Sequence, residues 1–153
     1  MKIISLLCMF LLSACGDSKY EGMDDRVIPY VQRFEQDMKI DLSYSKMGIN
    51  IAPLNGDLTG VCYLTETGDY KHITLDPIWL NGSDLSKEET VYHELGHCVY
   101  RMGHLDDKIT EPQYGTQIPG SIMNSYTIGG TWYYKEYRHK YIEAFKKYRY
   151  ISL

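Results

Sequence analysis

Apolar residues recur along this chain at two different periods, and the change from one to the other divides it into elements. Val27, Tyr30, Val31, Phe34 and Met38 follow steps of three and four, which predicts a helix over about 24–39, with Pro29 favouring a late start or a kink. Ile49-Asn50-Ile51, Gly60-Val61-Cys62-Tyr63-Leu64 and His72-Ile73-Thr74-Leu75 are short runs between Gly, Asn and Asp turns and read as strands. The helical period returns at Val91, Leu95, Cys98 and Met102 as a stripe fit for burial. Ser86-Lys87-Glu88-Glu89 before it has the capping-box form, with Ser86 as N-cap, and Gly103 after it supplies a stop, so this helix is expected over 87–102. Residues 105–120, with Pro112 and Pro119, read as irregular loop. Gly129-Gly130-Thr131 then introduces a terminal helix over about 132–149, expected to turn Trp132, Tyr141, Phe145 and Tyr148 to the core and its cations to solvent. The order predicts an α+β domain: a short mixed sheet with an N-terminal, a central and a C-terminal helix.

The N-terminus follows different rules. Lys2 precedes an apolar run from Ile3 to Leu12, too short for a spanning helix of about 20 residues but suited to a secretory signal. Its end, Leu12-Ser13-Ala14-Cys15, resembles the lipobox of bacterial lipoproteins, which implies cleavage after residue 14 and lipidation of Cys15. The expected organisation is a signal peptide over 1–14, a lipidated tether over 15–23, and one domain over 24–153. That domain would be anchored by acyl chains in the cell envelope outside the cytoplasm, with Gly16 and Asp17 weakly favouring an outer membrane. The net charge of −4, or −5 once Lys2 is removed, argues against nucleic acid as a partner. Only Cys62 and Cys98 remain after Cys8 and Cys15 are set aside. In an oxidising compartment they are candidates for a disulfide, the other reading being two small buried hydrophobes.

The chemistry concentrates in His93-Glu94-Leu95-Gly96-His97. At 3.6 residues per turn, positions 93 and 97 share one helix face, so two imidazoles can converge on one metal ion. Glu94 sits beside them, placed to take a proton from water that the ion activates. Catalytic zinc takes three protein ligands and keeps one position open, and His104 is the nearest further imidazole. On a continuous helix His104 would lie about 16 Å beyond His93, so the chain must turn back, and Gly103 permits the reversal.

The stretch from His93 to His104, HELGHCVYRMGH, resembles the zinc-binding helix of the metzincin clan of endopeptidases. Ser121-Ile122-Met123 is similar to the clan's Met-turn, with Met123 as the residue beneath the metal. The resemblance implies a zincin-like domain that hydrolyses peptide bonds with one Zn2+ ion held by His93, His97 and His104, and with Glu94 as general base. The spacing departs from the clan pattern: Tyr100 stands at the clan's glycine position and His104 comes one residue late, which keeps Asp107 as an alternative ligand. Tyr126, three residues past Met123, is a candidate transition-state stabiliser or ordinary packing. A later carboxylate, Glu136 or Glu143, is a further candidate for the third ligand. The expected partners are a peptide or protein substrate and the membrane holding the anchor, with a monomer as the expected state. Strand 72–75 would be the edge that holds an extended peptide. The tyrosines and cations of the last helix leave contact with an anionic lipid surface open. A non-catalytic binding lipoprotein of the same fold is the alternative to the enzyme.

Overall fold

The computed structural model describes residues 19–43, 45–68 and 71–148. The expected signal segment and Cys15 lie outside these residues. The chain is already docked at Lys19: Lys19 and Tyr20 reach the Glu35 carboxylate, and Met23 bridges to Ile49, so 19–23 belong to the fold and not to a tether.

Helix α1 spans Ile28–Met38, beginning where Pro29 can occupy the first turn, as its missing N–H requires. All five stripe residues, Val27, Tyr30, Val31, Phe34 and Met38, are buried. Strands β1 (Met47–Ile51), β2 (Gly60–Leu64) and β3 (Lys71–Leu75) form a mixed sheet in the order β1-β3-β2. β3 pairs parallel with β1 and antiparallel with β2, so it is the central strand and not the expected edge. Register puts Ile49, Ile73 and Cys62 in one row across the sheet, and this face packs on the next helix.

That helix, α2 (Asp84–Tyr100), starts three residues before the predicted place. Ser83, extended at φ −63° and ψ 163°, is the N-cap and accepts from the Ser86 amide. Ser86 therefore lies inside the first turn, and Glu89 does not reach back to cap. Val91, Leu95, Cys98 and Met102 are buried as expected. Residues 105–120 are not all loop: β4 (Lys108–Thr110) and β5 (Gln117–Pro119) pair as an antiparallel hairpin.

Helix α3 spans Trp132–Tyr148 with a kink at Tyr137. Tyr134, Tyr141, Ile142 and Phe145 face the core, whereas Trp132 is 51% exposed, so the buried face begins two residues later than the sequence suggests. Phe34 joins the three helices, meeting Tyr92 edge-on at 5.1 Å and Phe145 at 5.9 Å. Complete burial of such a ring contributes about 3 kcal/mol. Arg138 does not face solvent. It donates to Glu88 of α2 at 2.6 Å and to Asp37 of α1 at 2.7 Å, while Arg33 meets Glu88 from the other side. The 2%-exposed Glu88 is thus matched by two guanidiniums, the condition under which a buried carboxylate is tolerated. No helix among the described residues is long and apolar enough to cross a membrane.

Candidate metal centre

Three imidazoles meet on one face of α2. His93 and His97 project one turn apart, with Nε2 atoms 3.0 Å apart, and His104 brings its Nε2 to 3.2 Å from that of His93. Both helix histidines are oriented by backbone carbonyls: His93 Nδ1 donates to Ile122 O at 2.9 Å and His97 Nδ1 to Met102 O at 2.6 Å. A carbonyl oxygen can only accept, so each Nδ1 carries the hydrogen and each Nε2 is left with a lone pair directed into the cluster. Facing lone pairs at this separation repel unless a cation lies between them. For nitrogen ligands at about 2.05 Å in tetrahedral geometry the nitrogens would stand about 3.3 Å apart. His93, His97 and His104 therefore form a group that can hold a metal ion. Burial holds the His93 ring well below the usual histidine range, at about 4, helped by the neighbouring imidazoles, and lowers His97 for the same reason. Both are neutral at pH 7, the form in which an imidazole can bind a metal.

His104 reaches the site because the chain reverses after α2. The reversal is made at Arg101, with φ 55° and ψ 30°, and not at Gly103, which lies outside the left-handed region. Amides 101 and 102 close the helix end on His97 O and Gly96 O. Leu105 N–H then donates to Met123 O at 2.7 Å, pinning the segment that carries His104 to the turn that carries Ile122. Asp106, in the segment expected as irregular loop, clasps the same turn, accepting from both the amide and the hydroxyl of Ser125 at 2.7 Å.

Met123 is fully buried against Gly96. A Cβ at Gly96 would overlap Met123 Sδ and come within 3.0 Å of Phe145 Cζ, so only glycine fits between the two histidines. Gly60, at the start of β2, has the same relation to Glu94, since a Cβ there would come within 2.8 Å of its Oε1. Glu94 is 5% exposed, and burial pushes its carboxyl up to about 7, opposed by the Cys62 amide. A base with that affinity is poised to exchange a proton near neutral pH.

Glu94 and the histidines line an open cleft of about 550 Å³, whose opposite wall is β2. Among the described residues β2 has a strand neighbour on one side only, so it is an edge strand beside the cleft that can accept an added strand. Cys62 of β2 and Cys98 of α2 are joined as a disulfide, with Cα atoms 5.7 Å apart.

The other candidates lie elsewhere. Asp107 is exposed and is not part of the histidine group, its carbonyl accepting from Gly120. Glu136 and Glu143 are exposed on α3, Glu143 paired with Lys146. Tyr126 is 79% exposed and does not line the cleft. Tyr100 packs between Phe34 and Phe145.

One residue of the cleft was missed. Glu89 is 1% exposed, lines the cleft one turn before His93, and has no hydrogen bond at either carboxylate oxygen. Burial pushes it up to about 8, although the amides of Ile128 and Gly129 lie near enough to oppose the shift. Its only sequence signal was a place in an apparent capping box, a pattern that describes an exposed helix start.

The chain matches no family model, no curated protein and no solved structure in comparisons with each.

Proposed function

We propose that this protein is a zinc-dependent endopeptidase. The observation that carries the reading is the convergence of three Nε2 atoms, those of His93 and His97 held as lone-pair donors by backbone carbonyls, in a cleft that also holds a buried carboxylate with a raised proton affinity. His93, His97 and His104 would hold the ion, which supplies a Lewis acid that lowers the pKa of water and polarises a carbonyl. Glu94 takes the proton from the attacking water and returns it to the departing amine. Its environment suits both steps, because a carboxyl near pH 7 neither holds nor releases the proton too firmly. The Ile122 and Met102 carbonyls keep the two helix imidazoles in the required tautomer, and Met123 supports them from below. An extended peptide would lie along β2, where backbone pairing fixes the chain direction and tolerates many sequences. In the same reading Cys15 anchors the enzyme in the cell envelope.

The test is cleavage of a diverse peptide library by the full chain, zinc-loaded, beside Glu94→Gln and a metal-stripped sample. Cutting is expected only from the loaded wild type, with a loss of at least ~10³-fold in the variant. Equal cutting by the Glu94→Gln protein would overturn the assigned base. Silence from all three, with zinc bound, would favour a binding lipoprotein of the same fold.

A further inference from the structure

Glu89 is out of place for a structural residue. A carboxylate at 1% exposure is normally matched by hydrogen bonds or a cation, as the equally buried Glu88 is by Arg33 and Arg138. No side chain or cation meets either oxygen of Glu89, the backbone amides of Ile128 and Gly129 being its polar neighbours, and the side chain borders the cleft. The residue after Glu88 thus has the same burial without a matching cation, and the difference between them is that one faces the core network and the other the cleft.

The surroundings give the site a shape. Glu89 is packed from behind by Gly129, where a Cβ would come within 2.8 Å of Ser86 Cα, so no side chain intrudes from that strand of chain. Thr90 and Thr127 line the same cleft, and Leu58 and Val61 contribute apolar lining to it. Four residues separate Glu89 from His93, a rise of about 6 Å along α2. That is about the reach of one long side chain from a backbone held at the metal.

We propose that Glu89 is the floor of a pocket that selects a lysine or arginine side chain next to the bond to be cleaved. This rests on the peptidase reading of the cleft. A guanidinium or ammonium can supply the charged donor that neither oxygen has, while its methylenes would lie along the apolar lining of the cleft that Leu58 and Val61 contribute to. A substrate lacking the cation leaves the buried carboxyl unmatched, and discrimination is strongest where a site's polar group is stranded by the wrong ligand. The acidic balance of the chain favours approach of basic peptides in the same direction.

Two arms test it. In the first, the zinc-loaded wild type and Glu89→Gln are compared on matched peptides carrying Lys, Arg, Gln, norleucine or Glu at each position flanking the cleaved bond. Wild-type kcat/KM is expected to favour Lys or Arg over norleucine by about tenfold or more, the worth of one buried charged hydrogen bond, and the preference should vanish in Glu89→Gln. In the second, n-propylguanidinium and its neutral counterpart n-propylurea are titrated against metal-free protein, following the Ile128 and Gly129 amide resonances. Saturable binding of the cation alone, lost in Glu89→Gln, is expected. Glu89→Leu, which needs no buried polar partner, serves both arms should Glu89→Gln fold poorly. Cleavage without a basic preference, or with one that survives the substitution, overturns the pocket while leaving the peptidase intact. No cleavage with selective guanidinium binding keeps the pocket and sinks the peptidase. Absence of both removes both.

Discussion

Gly96→Ala should damage the candidate metal site from beneath without touching any of its three histidines. In an open helix the change is favourable by about 1 kcal/mol, because alanine restricts the unfolded chain and glycine does not. Here the new methyl would overlap Met123 Sδ, reach 3.1 Å from Met123 Cε and 3.0 Å from Phe145 Cζ, and both neighbours are 0% exposed. Neither can swing into solvent, so relief must come from displacing the 121–124 turn. Overpacking of this kind costs about 3 kcal/mol at the upper end, which leaves a net loss of about 2 kcal/mol after the helical gain. For a domain of this size that is a fall in Tm of about 5–10 °C. The displaced turn carries Ile122 O, the acceptor for His93, and Met123 O, the acceptor for Leu105. Loss of such an orienting hydrogen bond weakens metal binding by about 10–100-fold. Thermal melts of the metal-free protein and competition with a zinc chelator measure the two effects separately. Gly96→Ala combined with Met123→Ala should recover both, since the smaller residue vacates the space. A Gly96→Ala protein that melts higher than wild type and keeps its zinc affinity would refute the close approach and the argument built on it.

Reduction of Cys62–Cys98, or replacement of both by serine, opens a loop whose ends are 36 residues apart and should lower stability by about 4 kcal/mol in urea titrations; an unchanged midpoint would mean the bond is not formed in solution. Glu89 is held at about 8 when folded, against about 4.3 when unfolded, so the folded state keeps a proton the unfolded chain has lost across that window. Stability is then lost as pH rises, and metal-free wild type should match Glu89→Gln near about pH 4 and fall progressively below it towards about pH 9; a pH-independent difference would contradict the buried carboxyl. Zinc content measured by atomic absorption should drop in His104→Ala and stay at one per chain in Asp107→Ala, Glu136→Ala and Glu143→Ala, and the reverse at any of these would reassign the third ligand.

Residues whose role is repeated along one element were legible before folding. The stripes of α1 and α2 were read correctly because burial at steps of three and four needs no knowledge of the partner surface. The histidines of α2 were legible for the same reason, since helix geometry alone sets positions 93 and 97 on one face. What depended on distant chain was not. The start of α2 was misplaced because Ser83 and Ser86 both head acceptable caps, and only packing chooses between them. The central place of β3 follows from its register with two strands, and a run of four apolar-alternating residues reads the same at an edge. Arg138 looked like a solvent cation, yet α3 faces it towards Glu88, fifty residues earlier, and the charge pair becomes visible only when those helices meet. Glu89 was hidden most completely: its burial is imposed by Gly129 and the amides beside it, and nothing near it in the chain announces this.

The disulfide has a consequence for how a substrate could enter. It bolts the strand that forms one jaw of the cleft to the helix that forms the other, at the residue directly after His97. That bond resists splaying of the two jaws, so the proposed peptidase would favour a guest that arrives already unravelled and slides in lengthwise. Any give in the mouth would come more readily from the far lip, Asn124, Ser125 and Thr127, which no disulfide among the described residues restrains. If the proposed peptidase reading holds, such a mouth would spare natively folded proteins and take loose ends, loops and misfolded chains, a discrimination by shape that operates before any side chain is read.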